Sequence, residues 1–402
     1  MSTSHRAVAW LVGVVLVSPV VAGAQVRSER DIVDEIVRDR PQAAAIRAGT
    51  EVVRLGQLAR QAPANPSVSY RREGVDSAEF VEFEQSLGFL GTRHALERAG
   101  VAAVRAAEAE RDARLWLLRS EAMTALVRLR RGRRRQEIAA RQVGELERLL
   151  GILQTREREG EGSRLDRLRA EQELQEVRTA TVDAAAEIAE ATAAIEALLP
   201  AGSRLGAITP VTRAESTSPT LDALLARSVV VRPELAALRA AGEQATAEGV
   251  VLRRSRLPIP NVFGGITRAD AGERRTTGGV FGASVNVALF DRGARETARW
   301  EAERRRIDAD GAALEHQIRA EVGGAFAVWQ ARQAFLRVPD DTGDEVLQIA
   351  EVAYREGEVG ILELLDAVRT VFRARQRQIE RNFSARLAEI AVERAVGEVV
   401  WP

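Results

Sequence analysis

Two periodicities alternate along this chain. Over most of its length apolar residues recur at three- and four-residue intervals, and in two short stretches they recur at every second residue. The first pattern predicts helices with one buried stripe; the second predicts strands with one apolar face. From Thr92 to Glu157 the helical pattern runs without a proline. At 1.5 Å per residue that is a rod of roughly 100 Å, too long for a globular domain. An elongated molecule is therefore expected. Val143, Leu146, Leu150 and Leu153 are spaced 3, 4, 3, and Ile188, Ala191, Ile195 and Leu198 repeat the spacing on a returning helix. Those two seams predict knobs-into-holes packing against each other. So narrow a seam leaves most of each helix polar, as suits a wall with water on both sides.

The chain begins its helices at Asp31–Ile46, broken by Pro41, and the helical pattern stops at Pro63–Pro66 and again at Pro258–Pro260. Alternation follows each stop. In the first stretch Val68 and Tyr70 alternate with Ser67, Ser69 and Arg71. After a turn at Gly74–Ser77, Val81, Phe83 and Leu87 share one face, with Glu82, Glu84 and Ser86 on the other. In the second, Val262–Arg268 is a weaker, glycine-rich strand and Asp270–Thr277 a polar turn. Phe281, Val285, Val287 and Leu289 then share a face opposite Gly282, Ser284 and Asn286. Two β-hairpins are predicted, at about 66–88 and about 261–290. The apolar faces are candidate lipid-facing surfaces. Four strands cannot close a barrel, so a membrane role would need several subunits.

The halves repeat each other. Arg158-Glu159-Gly160-Glu161 aligns with Arg355-Glu356-Gly357-Glu358 at an offset of 355 − 158 = 197, and Arg40-Pro41 aligns with Arg232-Pro233 at 232 − 40 = 192. A unit this long is a duplicated half rather than a solenoid module. In each half a glycine stands between two helical runs, so each carries one helical hairpin tip, at about 158–162 and about 355–360. The resulting division is 1–24, 25–215 and 216–402. Arg158, Glu159, Gly160, Arg355, Glu356 and Gly357 are candidate contact residues at the tips. Asp166 and Glu363 fall six residues after the glycines, on the first turns of the returning helices, and Asp366 follows Glu363. They suit the helix dipole there, and they are candidates for lining an entrance.

Residues 1–24 read as a secretory signal peptide: Arg6, an apolar run from Ala7 to Val17, and the small-residue site Ala22-Gly23-Ala24. The 402-residue chain carries 58 cations and 58 carboxylates, and every cation is arginine. This balance argues against a nucleic-acid binder. With no cysteine, disulfides, thiolate metal sites and a lipid anchor on cysteine are excluded. His94 and His316 stand alone on helices, and no His/Asp/Glu cluster has metal-ligand spacing. No catalytic triad, P-loop or dinucleotide fingerprint stands in its proper context, so no enzyme, cofactor or metal is expected.

With these residues in place the chain resembles the TolC-like outer-membrane efflux proteins. The resemblance lies in Arg232-Pro233-Glu234-Leu235, Pro260-Asn261-Val262, Leu289-Phe290-Asp291-Arg292-Gly293 and, above all, the run from Gly357 to Arg369. That last run is similar to the CzcC-like heavy-metal branch. The resemblance implies a mainly α fold with a small β part. It also implies a homotrimer whose long antiparallel coiled-coil helices form a tunnel and whose hairpins form a shared 12-stranded barrel. It further implies a periplasmic adaptor at the tips, an inner-membrane RND-type pump as partner, and outer-membrane lipid around the barrel. Two other readings fit the same helices: the duct of a type I protein secretion system, and a periplasmic coiled-coil scaffold or adaptor without a barrel.

Overall fold

The computed structural model describes residues 27–74, 78–200, 205, 208–209, 219–271, 274–287, 293–337 and 343–401. The expected signal peptide lies outside the described residues. A short strand β1 (Arg27–Ser28) leads into α1 (Glu29–Asp39) and α2 (Pro41–Gln61). Ser28 caps α1 reciprocally: its Oγ accepts from the Asp31 N–H, and the Asp31 carboxylate accepts from the Ser28 N–H, each at 3.1 Å. Pro41 opens α2, where the missing N–H would have had no partner. Strands β2 (Ser67–Glu73) and β3 (Ala78–Ser86) make the first hairpin. Helix α3 (Phe89–Arg158) then runs 70 residues, about 105 Å at 1.5 Å per residue, and α4 (Arg164–Glu196) returns along its lower half.

The second half repeats the plan. After β4 (Ile208–Thr209), which pairs with β1, come α5 (Leu221–Val231), α6 (Pro233–Ser255), β5 (Ile259–Ala271) and β6 (Arg274–Asn286). Then follow α7 (Ala294–Leu336), α8 (Gly343–Glu356) and α9 (Ile361–Val396). Helices α5 and α6 and strand β5 begin 192 residues after α1, α2 and β2 (221 − 29, 233 − 41, 259 − 67). The halves differ in one place: α3 is a single helix, whereas α7 ends before Pro339 and α8 starts afresh.

The two hairpins join. The sheet order is β2-β3-β5-β6, antiparallel throughout. The second hairpin is longer than its pattern predicts. Asp270–Thr277 was expected to be a turn, but β5 runs to Ala271 and β6 starts at Arg274, with Asp270 paired to Arg275 and Ala269 to Thr276. Polar residues hold strand pairing here because the extended backbone hydrogen bonds of the ladder do not depend on apolar side chains.

The cores are seams, and one expectation about them is corrected. Leu146 and Leu153, with Val143 and Leu150 beside them, pack on Ala170, Leu174 and Val177 of α4 and on Leu364, Leu365 and Val368 of α9. Ala191, Ile195 and Leu198, with Ile188, pack instead on Leu118, Ala122, Leu126 and Leu129 of α3 and on Ile32, Val33 and Ile36 of α1. The two seams therefore lie at different levels of the rod and do not face each other. Antiparallel pairing from a tip at 158–164 sets the partner of each residue, and equal spacing alone could not. A third cluster joins α5, α6, α7 and α9 through Leu224, Leu235, Val322, Phe326, Trp329, Val392 and Trp401.

Glu393 is buried beside that third cluster, where it accepts a hydrogen bond from the Trp401 N–H at 3.1 Å. Burial pushes its carboxyl above the ordinary value, against the smaller opposing effect of that hydrogen bond. As pH rises through the ordinary carboxylate range the unfolded chain ionises first and the native chain keeps its proton. Stability therefore falls until pH exceeds the raised value and stays lower above it. Glu393→Gln keeps an acceptor for Trp401 and removes the charge. It should raise Tm by about 1–2 °C at neutral pH and by nothing near pH 4 in calorimetric scans; a gain of equal size at both pH values would refute the assignment.

Candidate functional site

Function has to be sought at the two ends of the rod. Both tips lie at the far end of α3 from the sheet, because α3 connects β3 directly to the first tip. Each tip is a full Schellman closure. In the first, Gly160 has φ +79, its N–H donates to the Glu157 carbonyl at 3.2 Å and the Glu161 N–H donates to the Arg156 carbonyl at 2.9 Å. In the second, Gly357 has φ +78, its N–H donates to the Tyr354 carbonyl at 3.2 Å and the Glu358 N–H donates to the Ala353 carbonyl at 2.8 Å. The bonds match pairwise at 358 − 161 = 353 − 156 = 197. A β-carbon on either glycine would meet nothing within 4 Å, so left-handed backbone alone demands glycine there.

The side chains around the glycines are exposed: Arg158, Glu159, Arg355 and Glu356 all project from the tips. Arg158 is turned back along α3, donating to the Gln154 carbonyl at 3.3 Å and to Thr155 Oγ1 at 3.1 Å. The two tips are neighbours, for the Arg156 guanidinium lies 5.8 Å from the Tyr354 ring centroid. Farther up, Arg369 of α9 bonds the buried Glu173 of α4, tying one hairpin to the other. That pair holds the Arg369 guanidinium above its ordinary value. The sequence did not mark the two as a pair, because only the packing of α9 on α4 brings them together.

Asp166 and Glu363 occupy the same place in their helices, three residues after the N-caps Ser163 and Gly360. Asp166 lies 3.9 Å from Arg169, and the Glu363 carboxylate folds back so that a β-carbon on Gly360 would lie 3.1 Å from it. Asp366 is exposed one turn on. Among the described residues these three acids form no group that could hold a metal; Asp166 and Glu363 each lie in the first turn of their own helix.

At the other end the sheet has two unlike faces. Register pairs Val68 with Phe83 and Tyr70 with Val81, then Val81 with Ile266, Phe83 with Gly264, and Gly264 with Phe281. Because side chains alternate faces, Val68, Tyr70, Val81, Phe83, Val262, Ile266, Phe281 and Val285 share one. They stay largely exposed, Phe281 at 90%. Leu87 continues the ladder by donating to the Pro260 carbonyl at 2.9 Å, and Val287 follows β6 with the same parity. Leu289 lies outside the described residues. From Val81 to Leu87 the band is about 20 Å long at 3.3 Å per residue. The other face carries Ser67, Ser69, Arg71, Glu82, Glu84, Asn261 and Ser284. Val262 and Ile266 were missed as face residues because intervening glycines hide the alternation.

Among the described residues no helix is long and apolar enough to cross a membrane, and no three His, Cys, Asp or Glu side chains could hold a metal ion. An exposed apolar sheet face and a distant pair of helical tips are the features left to explain.

Comparison with known proteins gives that combination a place. Residues 224–398 match the family model described as Outer membrane efflux protein. The match lies in the second half of the chain, and that half is similar to this family. It is a family of passive channels rather than enzymes. The first half carries the same architecture, and 92% of the chain superposes on solved channels of TolC-like fold. The open state of the Neisseria gonorrhoeae MtrE outer membrane channel gives a TM-score of 0.76 at 18% identity, over 92% of this chain and 89% of that one. CusC, whose structures concern transmembrane channel formation, gives 0.73 at 18% identity over 92% of both chains. The outer membrane protein VceC of Vibrio cholerae gives 0.70 at 18% identity over 92% and 96%. No protein of curated function matches in sequence.

Because the tip glycines are required by backbone and not by space, Gly160→Ala and Gly357→Ala should each destabilise their tip by about 1 kcal/mol, with Asn recovering part of it. In hydrogen exchange the N–H groups of Glu161 and Glu358 should open about fivefold faster in the respective alanine variants. Unchanged protection at both would show that the turns are not held this way.

Proposed function

We propose that this chain is the outer-membrane duct of a tripartite efflux pump. Three copies close a 12-stranded barrel through their sheets and an α-helical tunnel through their rods, crossing the outer membrane and reaching into the periplasm. The tip residues Arg158, Glu159, Gly160, Arg355, Glu356 and Gly357 dock a periplasmic adaptor. Asp166, Glu363 and Asp366 stand at the tunnel entrance. An inner-membrane RND-type pump supplies the energy, and the cargo is heavy-metal cations or small toxic compounds. The run from Gly357 to Arg369 favours the heavy-metal branch. Val81, Phe83, Leu87, Phe281, Val285, Val287 and Leu289 face lipid.

The observation that carries this reading is a mismatch between sister surfaces. Ala247 and Val250 of α6 pack on Ala95 and Ala99 of α3. The equivalent residues of α2, at 247 − 192 = 55 and 250 − 192 = 58, are Leu55 and Leu58, and each is 53% exposed. In the sheet, β3 and β5 pair across the two halves while β2 and β6 each keep one open edge. Both gaps are filled if the α7–β6 side of one copy meets the α2–β2 side of the next. That contact is head-to-tail, and rotation closes it into a ring without exposed edges. The adaptor reading is disfavoured, since the strands form one sheet at the opposite end of α3 from the tips.

Two experiments test the proposal. Leu55→Asp with Leu58→Asp should turn detergent-purified trimers into monomers by light scattering, and cysteines scanned along β2 and β6 should crosslink copies into rings of three. Monomers in the wild type, or crosslinked pairs only, would overturn it. In cells, Gly357→Glu should weaken adaptor crosslinking by about tenfold while trimers persist. Deletion should cost tolerance to metals or drugs with protein secretion intact; the reverse outcome points to the secretion duct.

A further inference from the structure

We propose that Arg72 and Arg268 bind the phosphate of an anionic lipid headgroup in the leaflet that faces away from the helices. The inference rests on the barrel reading above. Register makes Arg72 and Glu79 partners, then Glu79 and Arg268, then Arg268 and Thr277. This row lies one step beyond Tyr70, Val81, Ile266 and Gly279 and on the same face, because the side-chain period is two. The two guanidinium groups thus stand at the rim where the apolar band ends. Their Cα atoms are two strands apart, about 10 Å at the usual strand spacing, so both long side chains can reach one phosphate.

Neither arginine has an ion pair or hydrogen bond among the described residues. Arg71, the next residue and on the opposite face, behaves differently. It pairs with Glu73 at 3.2 Å and with Glu82 at 3.8 Å, and lies 5.0 Å from the Phe80 ring centroid. Arg71 on the polar face is thus paired, whereas Arg72 and Arg268 on the apolar face have no partner among the described residues. Glu79 stands between them, so the row of two arginines and one glutamate keeps one positive charge. The next row outward holds Asp270 opposite Arg275, which are of opposite sign. At the margin of hydrocarbon an arginine costs little and its long side chain can reach the headgroup level. Phosphate suits guanidinium because the planar fork donates two parallel hydrogen bonds. A lipid phosphate has the advantage over free phosphate, because acyl chains on the adjoining apolar band hold it in place and raise its effective concentration.

The test uses the full chain purified in dodecyl maltoside, titrated with phosphatidylglycerol or phosphatidylcholine, with bound lipids counted by native mass spectrometry. Wild type should retain phosphatidylglycerol about tenfold better than phosphatidylcholine. Arg72→Gln with Arg268→Gln should abolish that preference, while Arg71→Gln leaves it intact. Millimolar inorganic phosphate should not displace the lipid; displacement would assign the site to free phosphate and overturn the lipid assignment. Equal preference in the double variant, or equal loss in Arg71→Gln, would also overturn it. Failure to hold either lipid in any variant would instead bring down the barrel reading itself.

Discussion

The ladder between β3 and β5 is the joint on which this molecule depends. It pairs Ala78–Ser86 with Asn261–Ala269, residues that the chain separates by the whole length of α3 and α4 and back. Backbone hydrogen bonds of an edge strand need partners, and here the partner comes from the sister half. One register then decides three things at once. It sets Val81 against Ile266 and Phe83 against Gly264, which makes a single apolar band out of two hairpins. It anchors the upper ends of α2, α3, α6 and α7 side by side. By doing so it fixes how the two rods lie against each other as far as the tips.

Below the sheet the helices hold together by thin seams. Each seam is rich in alanine and leucine, and charged pairs cover the remaining faces. Several of those pairs are within one helix, such as Arg306 with Glu303 and Asp310, or Arg141 with Glu137. Exposed pairs of this kind contribute little to stability. The pairs that bridge elements do more to define the fold: Arg60 with the buried Glu248, Arg130 with the buried Glu29, and Arg369 with the buried Glu173. Removing one partner would leave a buried carboxylate without its counter-charge. A rod built this way has a small core for its length and much apolar surface left over. Much of that surplus lies on the sheet face, on α2, and along α8 at Val346, Ile349 and Val352.

Duplication explains that placement. Two copies of one plan must meet each other once inside the chain, and the surfaces they use are then left free at the outer sides. In the proposed assembly the internal contact is the template for the contact between copies. Differences between the halves mark where the copies have separate tasks. The second hairpin is longer, and the second rod is interrupted before α8 where the first is continuous.

The sequence by itself determined everything that depends on neighbours along the chain. Helices and strands followed from periodicity, the break at Pro41 from its ring, and the tips from Gly160 and Gly357, whose positive φ the structure bears out. The duplication was visible for the same reason, since local rules act alike on both copies. Tertiary structure decided what depends on partners distant in the chain. The seam of Val143–Leu153 and that of Ile188–Leu198 share a spacing, yet they pack on different elements, because the tip position sets the antiparallel register. The polar stretch around Asp270–Thr277 became strand because β5 and β6 pair there, and Glu173 with Arg369 became neighbours only through packing. Spacing carries the period of a helix but not its phase against another, and that phase is set by where the chain turns back.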